Sequence, residues 1–310
     1  MKESDRHTHR VRIACIFALL SGIALLAGCC FCIGFPPGTP GGCPTCPPSG
    51  SDGVMYVANN TGRSVTRASL AGTFGAASTL DGTLNYPSGI ALNASAGEMF
   101  VADAFAGIVK ANLDGTEVET LPVSGLSNPE GIALDTVAGK LYVTNRGRGE
   151  VIVANLDGSD KTAIDVSDLI SHPYGIALDV GAGKMYVSSA GNAALAVFNL
   201  DGTGGELLAW SSQYDSRGIA LDLAAGKMYV TDLLYNSVVV ANLDGSSEKV
   251  LDLGGLLDQP WGIALDVAEA KMYVTNTKSS TVVVANLDGT SAEVLHIATL
   301  SSPMGIAILP

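Results

Sequence analysis

Residues 260–266 read Pro-Trp-Gly-Ile-Ala-Leu-Asp, residues 271–276 Lys-Met-Tyr-Val-Thr-Asn, residues 282–289 Val-Val-Val-Ala-Asn-Leu-Asp-Gly, and residues 293–295 Glu-Val-Leu. These are four short apolar runs separated by turn residues, here called strands a, b, c and d. The runs hardly alternate with polar residues, which fits strands covered on both faces. The Asp-Gly that closes the third run is a hairpin signal, because Gly adopts positive φ at little cost.

The unit recurs along the chain. Gly-Ile-Ala begins at Gly89, Gly131, Gly175, Gly218, Gly262 and Gly305, at intervals of 42 to 44 residues. Asn-Leu-Asp-Gly stands at 112–115, 155–158, 199–202, 242–245 and 286–289. Four strands in about 43 residues make the blade of a β-propeller. The first repeat opens at strand b, with Met55-Tyr56-Val57-Ala58-Asn59, and the last is a lone strand a, Met304-Gly305-Ile306-Ala307-Ile308. One blade is therefore expected to draw on both ends, which closes the ring and removes its free edge. The predicted fold is all-β: a six-bladed propeller over residues 53–310, with four antiparallel strands per blade.

Within the repeat, Asp135 and Lys140, Asp179 and Lys184, Asp222 and Lys227, and Asp266 and Lys271 stand at equal spacing, while Asn93 stands with Glu98. The paired change predicts an exposed ion pair across each a–b turn, worth about 0–1 kcal/mol.

These units resemble the class B repeat of low-density lipoprotein receptors, a six-bladed propeller named for Tyr-Trp-Thr-Asp. The resemblance is carried by Pro-x-Gly-Ile-Ala-Leu-Asp, Gly-Lys-Met-Tyr-Val-Thr-Asp at 226–232 and Ala-Asn-Leu-Asp-Gly. Val replaces Trp in every copy, and Tyr142-Val143-Thr144-Asn145 and Tyr273-Val274-Thr275-Asn276 are similar to the Tyr-Val-Thr-Asn propellers of bacterial and archaeal surfaces. Nothing matches the Cys-rich module that packs below the receptor propeller. The resemblance therefore implies the architecture and not the receptors' ligands.

Upstream, Lys2, Arg6, Arg10 and Arg12 precede an uncharged, mostly apolar stretch at 13–28. A basic segment followed by a short apolar one is a signal peptide, and the stretch is short for a spanning helix. Leu26-Ala27-Gly28-Cys29 resembles a bacterial lipobox, which implies cleavage after residue 28 and lipidation of Cys29. Cys30 in place of Asp after that position implies an outer-membrane address. Residues 29–52 hold Cys30, Cys32, Cys43 and Cys46 together with Pro36, Pro37, Pro40, Pro44, Pro47 and Pro48. Pro-rich sequence favours extended polyproline II, so the segment reads as a semi-rigid tether. Its four cysteines are disulfide candidates in an oxidising compartment, ahead of zinc ligands. The expected product is an exported, membrane-anchored lipoprotein of the outer membrane, periplasm or cell surface.

Lys+Arg 17 against Asp+Glu 30 gives a net charge of −13 and a pI near 4.6. Nucleic acid is excluded as a partner, since phosphate binding needs a basic face. Residues present in every blade are expected to serve the blade. The ring Asn59, Asp103, Asn145, Ser189, Asp232 and Asn276, at the end of strand b, is expected to bond to backbone rather than to a metal. Function is expected where blades differ. Position x of Pro-x-Gly holds Ser88, Glu130, Tyr174, Arg217, Trp261 and Met304. The b–c loops on the same face add Arg63, Phe105, Arg146, Arg148, Leu234, Tyr235 and Lys278. Trp and Arg are frequent binding hot spots.

The leading functional expectation is a non-enzymatic binding or scaffolding module whose variable top face holds a protein, peptide or glycan. The alternative is a metal-dependent lactonase- or lyase-like propeller with a channel site. Such chemistry needs His or several carboxylates converging on the axis. The propeller sequence has only His172 and His296, with Glu130 the one acidic ring residue. No catalytic residue, metal ligand or cofactor is assigned, weak calcium binding by the acidic surface being the single exception left open.

Overall fold

A computed structural model describes residues 53–211 and 213–310. The expected signal peptide at 1–28, the tether at 29–52, Cys29 and the four tether cysteines lie outside the described residues.

Six four-stranded antiparallel sheets form the propeller, as the repeat predicts. Blade 1 is the composite one: strand a, Pro303–Leu309, pairs with strand b, Val54–Asn59, which continues into Ser64–Ser69 and Gly75–Ser78. Blades 2 to 6 are contiguous, and their inner strands are Pro87–Asn93, Pro129–Asp135, Pro173–Asp179, Ser216–Asp222 and Pro260–Asp266.

The core lies between blades. In Lys271–Asn276 successive side chains leave on opposite faces, as strand geometry requires. Met272 and Val274 pack against blade 5, and Tyr273 packs against blade 1. The same division recurs at Leu141 and Val143 against Tyr142. An interior that uses both faces of strand b explains why the run is apolar without alternation.

The axis is built on a closer contact. A Cβ on Gly89, Gly131, Gly175, Gly218, Gly262 or Gly305 would collide with the carbonyl oxygen of the x residue in the next blade. Only glycine permits that approach. Hydroxyls then latch the blades together. Thr144, Ser188, Thr231 and Thr275 each accept from the N–H of their own blade's inner glycine at 2.8 Å. Each donates to the x carbonyl of the next blade, of Tyr174, Arg217, Trp261 and Met304, at 2.5–2.6 Å. Strand b of blade 2 has Ala102 at this position. There Ser88 supplies the hydroxyl instead and donates to the Glu130 carbonyl at 3.1 Å.

The expected Asp–Lys ion pairs do not form. Strand register sets Asp135 opposite Lys140, but the two side chains part. Asp135 accepts from the backbone N–H groups of Val137 and Ala138 and caps its own turn. Lys140 donates to Asn155 Oδ1 at 2.6 Å, and Lys184, Lys227 and Lys271 do the same to Asn199, Asn242 and Asn286. Asp179, Asp222 and Asp266 also cap their turns. A tight turn exposes N–H groups that need an acceptor, and the adjacent Asp is the nearest one. Glu98, in place of the lysine, pairs with Lys110 at 2.9 Å.

Thr231→Val should therefore lower stability by about 1–3 kcal/mol, because it leaves the Gly218 N–H and the Trp261 carbonyl unpaired at nearly unchanged volume. Chemical unfolding of the two proteins would check it.

Candidate functional site

The ring at the end of strand b organises the top face through backbone bonds, as expected. Asp103 accepts from the N–H groups of Asn85 and Tyr86 in the d–a loop through Oδ2, and of Phe105 and Ala106 in the b–c turn through Oδ1. Asp232 accepts from Asp215, Leu234 and Tyr235. Asn145, Asn276 and Asn59 clamp the equivalent loops at Ser127, Asp258 and Ser301. Asp103 and Asp232 thus each fix both loops of their blade, and the asparagines the d–a loop that leads to the residue at x.

The x residues of four consecutive blades meet at the channel mouth. Arg217 lies with Cζ 4.0 Å from the Tyr174 ring centroid and 4.6 Å from that of Trp261. The two rings meet edge to face at 5.5 Å. Arg217 also donates through Nη2 to Asp215 Oδ2 at 2.8 Å. On the other side of Tyr174, Arg146 lies 5.1 Å from the ring and reaches Glu130 Oε1 at 3.5 Å. The order around the mouth is Glu130, Arg146, Tyr174, Arg217, Trp261. Cation–π contact with the rings is favourable for both guanidinium groups, more so where water is excluded.

Burial sharpens the electrostatics. The side chains of Arg217 and Glu130 are 11% and 12% exposed, against 37% for Arg146. Arg217 Nε and Nη1, Arg146 Nε and Asp215 Oδ1 are buried without a hydrogen-bond partner. Burial raises the Glu130 carboxyl from 4.5 to about 7, with Arg146 and Arg217 opposing the rise. Desolvation disfavours the charged form more than the two cations favour it.

Below the mouth, Ile90, Ile132, Ile176, Ile219, Ile263 and Ile306 complete a channel of about 90 Å³. Ser88 is buried, and its hydroxyl lies 3.0–3.2 Å from the Ala102, Pro129 and Glu130 carbonyls, which share its one proton. Met304 joins the ring through its carbonyl, which Thr275 holds. Among the b–c residues, Phe105 is 75% exposed and stacks on Tyr86 at 5.1 Å, and Arg63 lies 6.0 Å from the Tyr86 ring. Leu234 and Tyr235 are exposed, and Tyr235 meets Tyr214 edge to face. Lys278 pairs with Asp258. Arg148 closes the one-turn 3-10 helix Arg146–Arg148.

His172 and His296 are exposed. His172 has φ 56°, and its counterparts before the inner-strand prolines, Asn128, Gln259 and Ser302, have φ 50°, 54° and 47°. It occupies a backbone slot of the repeat. Among the described residues, no three His, Cys, Asp or Glu side chains come together as a metal-ligand group.

No protein-family model matches this sequence, and a comparison with curated proteins gives no match. Solved structures share the fold. A chain of a nidogen/laminin complex superposes with a TM-score of 0.72 at 21% identity, over 83% of this chain and 98% of that one. A chain of Kuenenia stuttgartiensis hydrazine synthase gives 0.56 at 17% identity, over 76% of this chain and 74% of that one. The likeness to the first agrees with the Tyr-Trp-Thr-Asp resemblance in the sequence, and the chain is a six-bladed propeller of that kind in architecture.

The Glu130 carboxyl gives the fold a pH signature. Unfolded, it ionises near 4.5; folded, near 7. The folded state therefore binds the extra proton between these values, and stability falls as pH rises through that window. The expected loss across it is about 3 kcal/mol, and Glu130→Gln should remove this component. Thermal midpoints of both proteins from pH 4.5 to 8 would show whether the difference between them follows that course.

Proposed function

We propose that this chain is an exported, lipid-anchored propeller that acts as a non-enzymatic binding or scaffolding module, with its ligand held at the top-face mouth. The observation that carries this reading is the cluster of Arg146, Tyr174, Arg217 and Trp261 at the open end of an otherwise uniform ring. Aromatic and Arg side chains in a partly desolvated pocket are the composition of binding hot spots. Each blade's repeated groups are already engaged in loop clamps and latches, which leaves the variable side chains for recognition. A chain of the same fold occurs in a nidogen/laminin complex, which supports a protein or peptide ligand over a glycan. The lipid anchor rests on Cys29 and the segment before it.

Capture by chemical crosslinking from native envelopes tests the site. A Glu130/Arg217/Trp261→Ala variant that keeps its thermal midpoint should lose the partner that the wild type captures; equal capture would refute the assignment of this face. The anchor is tested separately. Cys29→Ser should abolish incorporation of labelled palmitate and release the protein from the membrane fraction, and unchanged fractionation would refute it.

A further inference from the structure

The charges at the mouth are unequally served. Arg217 is held by Asp215 at 2.8 Å and enclosed by two rings, with its Nε and Nη1 buried without an acceptor. Arg146 has only Glu130, at 3.5 Å, a long contact for a charge-assisted bond. Its Nε has no acceptor, and more than a third of its side chain is exposed. Of the two guanidinium groups, Arg146 is the one the mouth presents to solvent, with the second positive charge of Arg217 behind it. The groups around Glu130 are Arg146 from the b–c turn of its own blade, Arg217 from blade 5, and the uncharged Ser88 and Tyr174 from blades 2 and 4.

We propose that the channel mouth binds a carboxylate, held by Arg146 with Arg217 behind it, and that Glu130 takes up one proton from water as the ligand arrives. The proposal rests on the reading of the mouth as the binding site, and names its ligand chemistry and its coupling. A second carboxylate brought against Arg146 raises the cost of keeping Glu130, whose side chain is only 12% exposed, ionised beside it. Asp215 is fixed to Arg217, so Glu130 is the group that yields. Protonated, it remains a neutral neighbour and frees the Arg146 edge. The titration of Glu130 near neutrality means that the exchange needs little additional work there. The same chemistry is offered by a free organic acid and by an acidic side chain of a polypeptide.

Isothermal titration of the propeller with propionate, with the blocked tripeptide acetyl-Gly-Asp-Gly-amide and with its Asn analogue separates these cases. The Asp peptide should bind and the Asn peptide should not. Affinity should be flat between about pH 5.5 and 6.5, where the ligand carboxyl is ionised, and fall about tenfold per pH unit above the Glu130 midpoint, as uptake of one proton requires. At pH 8, heats in Tris and HEPES should differ by the difference between the two buffers' ionisation enthalpies, multiplied by the one proton taken up. Glu130→Gln should bind at pH 8 as the wild type does at pH 6, with no buffer dependence. Arg146→Gln should weaken binding at pH 6 by about tenfold or more. Propionate binding as tightly as the peptide would assign a free acid, and much tighter peptide binding an acidic side chain; either supports the carboxylate site. Equal binding of the Asn peptide, no carboxylate binding at pH 6, or an unchanged pH profile in Glu130→Gln would overturn it. If carboxylates fail to bind while the triple variant still loses its partner, the inference fails and the binding-module reading stands. If they bind while partner capture ignores the mouth, the reverse holds.

Discussion

Everything at the axis depends on six glycines that lie against carbonyl groups of the neighbouring blade. The contact admits no Cβ, and it fixes how closely the inner strands gather. The carbonyl belongs to the residue before the next glycine. That residue therefore serves the ring through its main chain and, except at Ser88, keeps its side chain out of the latch. One dipeptide holds the scaffold and displays the recognition group, which is how a repeat with almost invariant spacing presents Glu130, Tyr174, Arg217 and Trp261 in succession.

The fold was legible because its rules are local and repeated. The spacing of Gly-Ile-Ala, the Asp-Gly turns and the two half-blades at residues 54 and 309 lead to a closed ring by counting. The roles of individual side chains were less legible. The Asp135 and Lys140 spacing reads as an ion pair because their Cα positions do face each other. It fails because the turn's N–H groups and Asn155 are better placed partners. Ser88 reads as one variable residue among six, yet it stands in for the latch hydroxyl that Ala102 lacks. Blade 1 also carries an alanine there, Ala58, with Met304 at x and no such replacement, and the role of Ser88 is visible only in three dimensions.

The candidate site was legible in position and not in chemistry. Ring variability pointed to the mouth, and Arg146 was recognisable as a b–c loop cation. Its approach to Glu130 and Tyr174 depends on the loop clamp by Asn145 and on the turn that follows it. Asp215 gave no sequence signal beyond its place in a d–a loop, although it pairs with Arg217 at 2.8 Å. The acidic overall balance is also a poor guide here, because the mouth gathers two arginines within a protein of net charge −13.

The composite blade has a kinetic meaning. Blades 2 to 6 are each continuous segments and can form as soon as their own residues are available. Blade 1 joins Val54–Asn59 to Pro303–Leu309, the most distant pairing along the chain. Such a pairing carries the largest loop-closure entropy and is met last. Until residue 309 is in place, the strand at 54–59 keeps a bare hydrogen-bonding edge, and the clusters on either side of it lack one wall. The interval before closure is thus when the molecule is most open to mispairing with a second copy. The ring's resistance to opening afterwards lies in the same seven-residue strand.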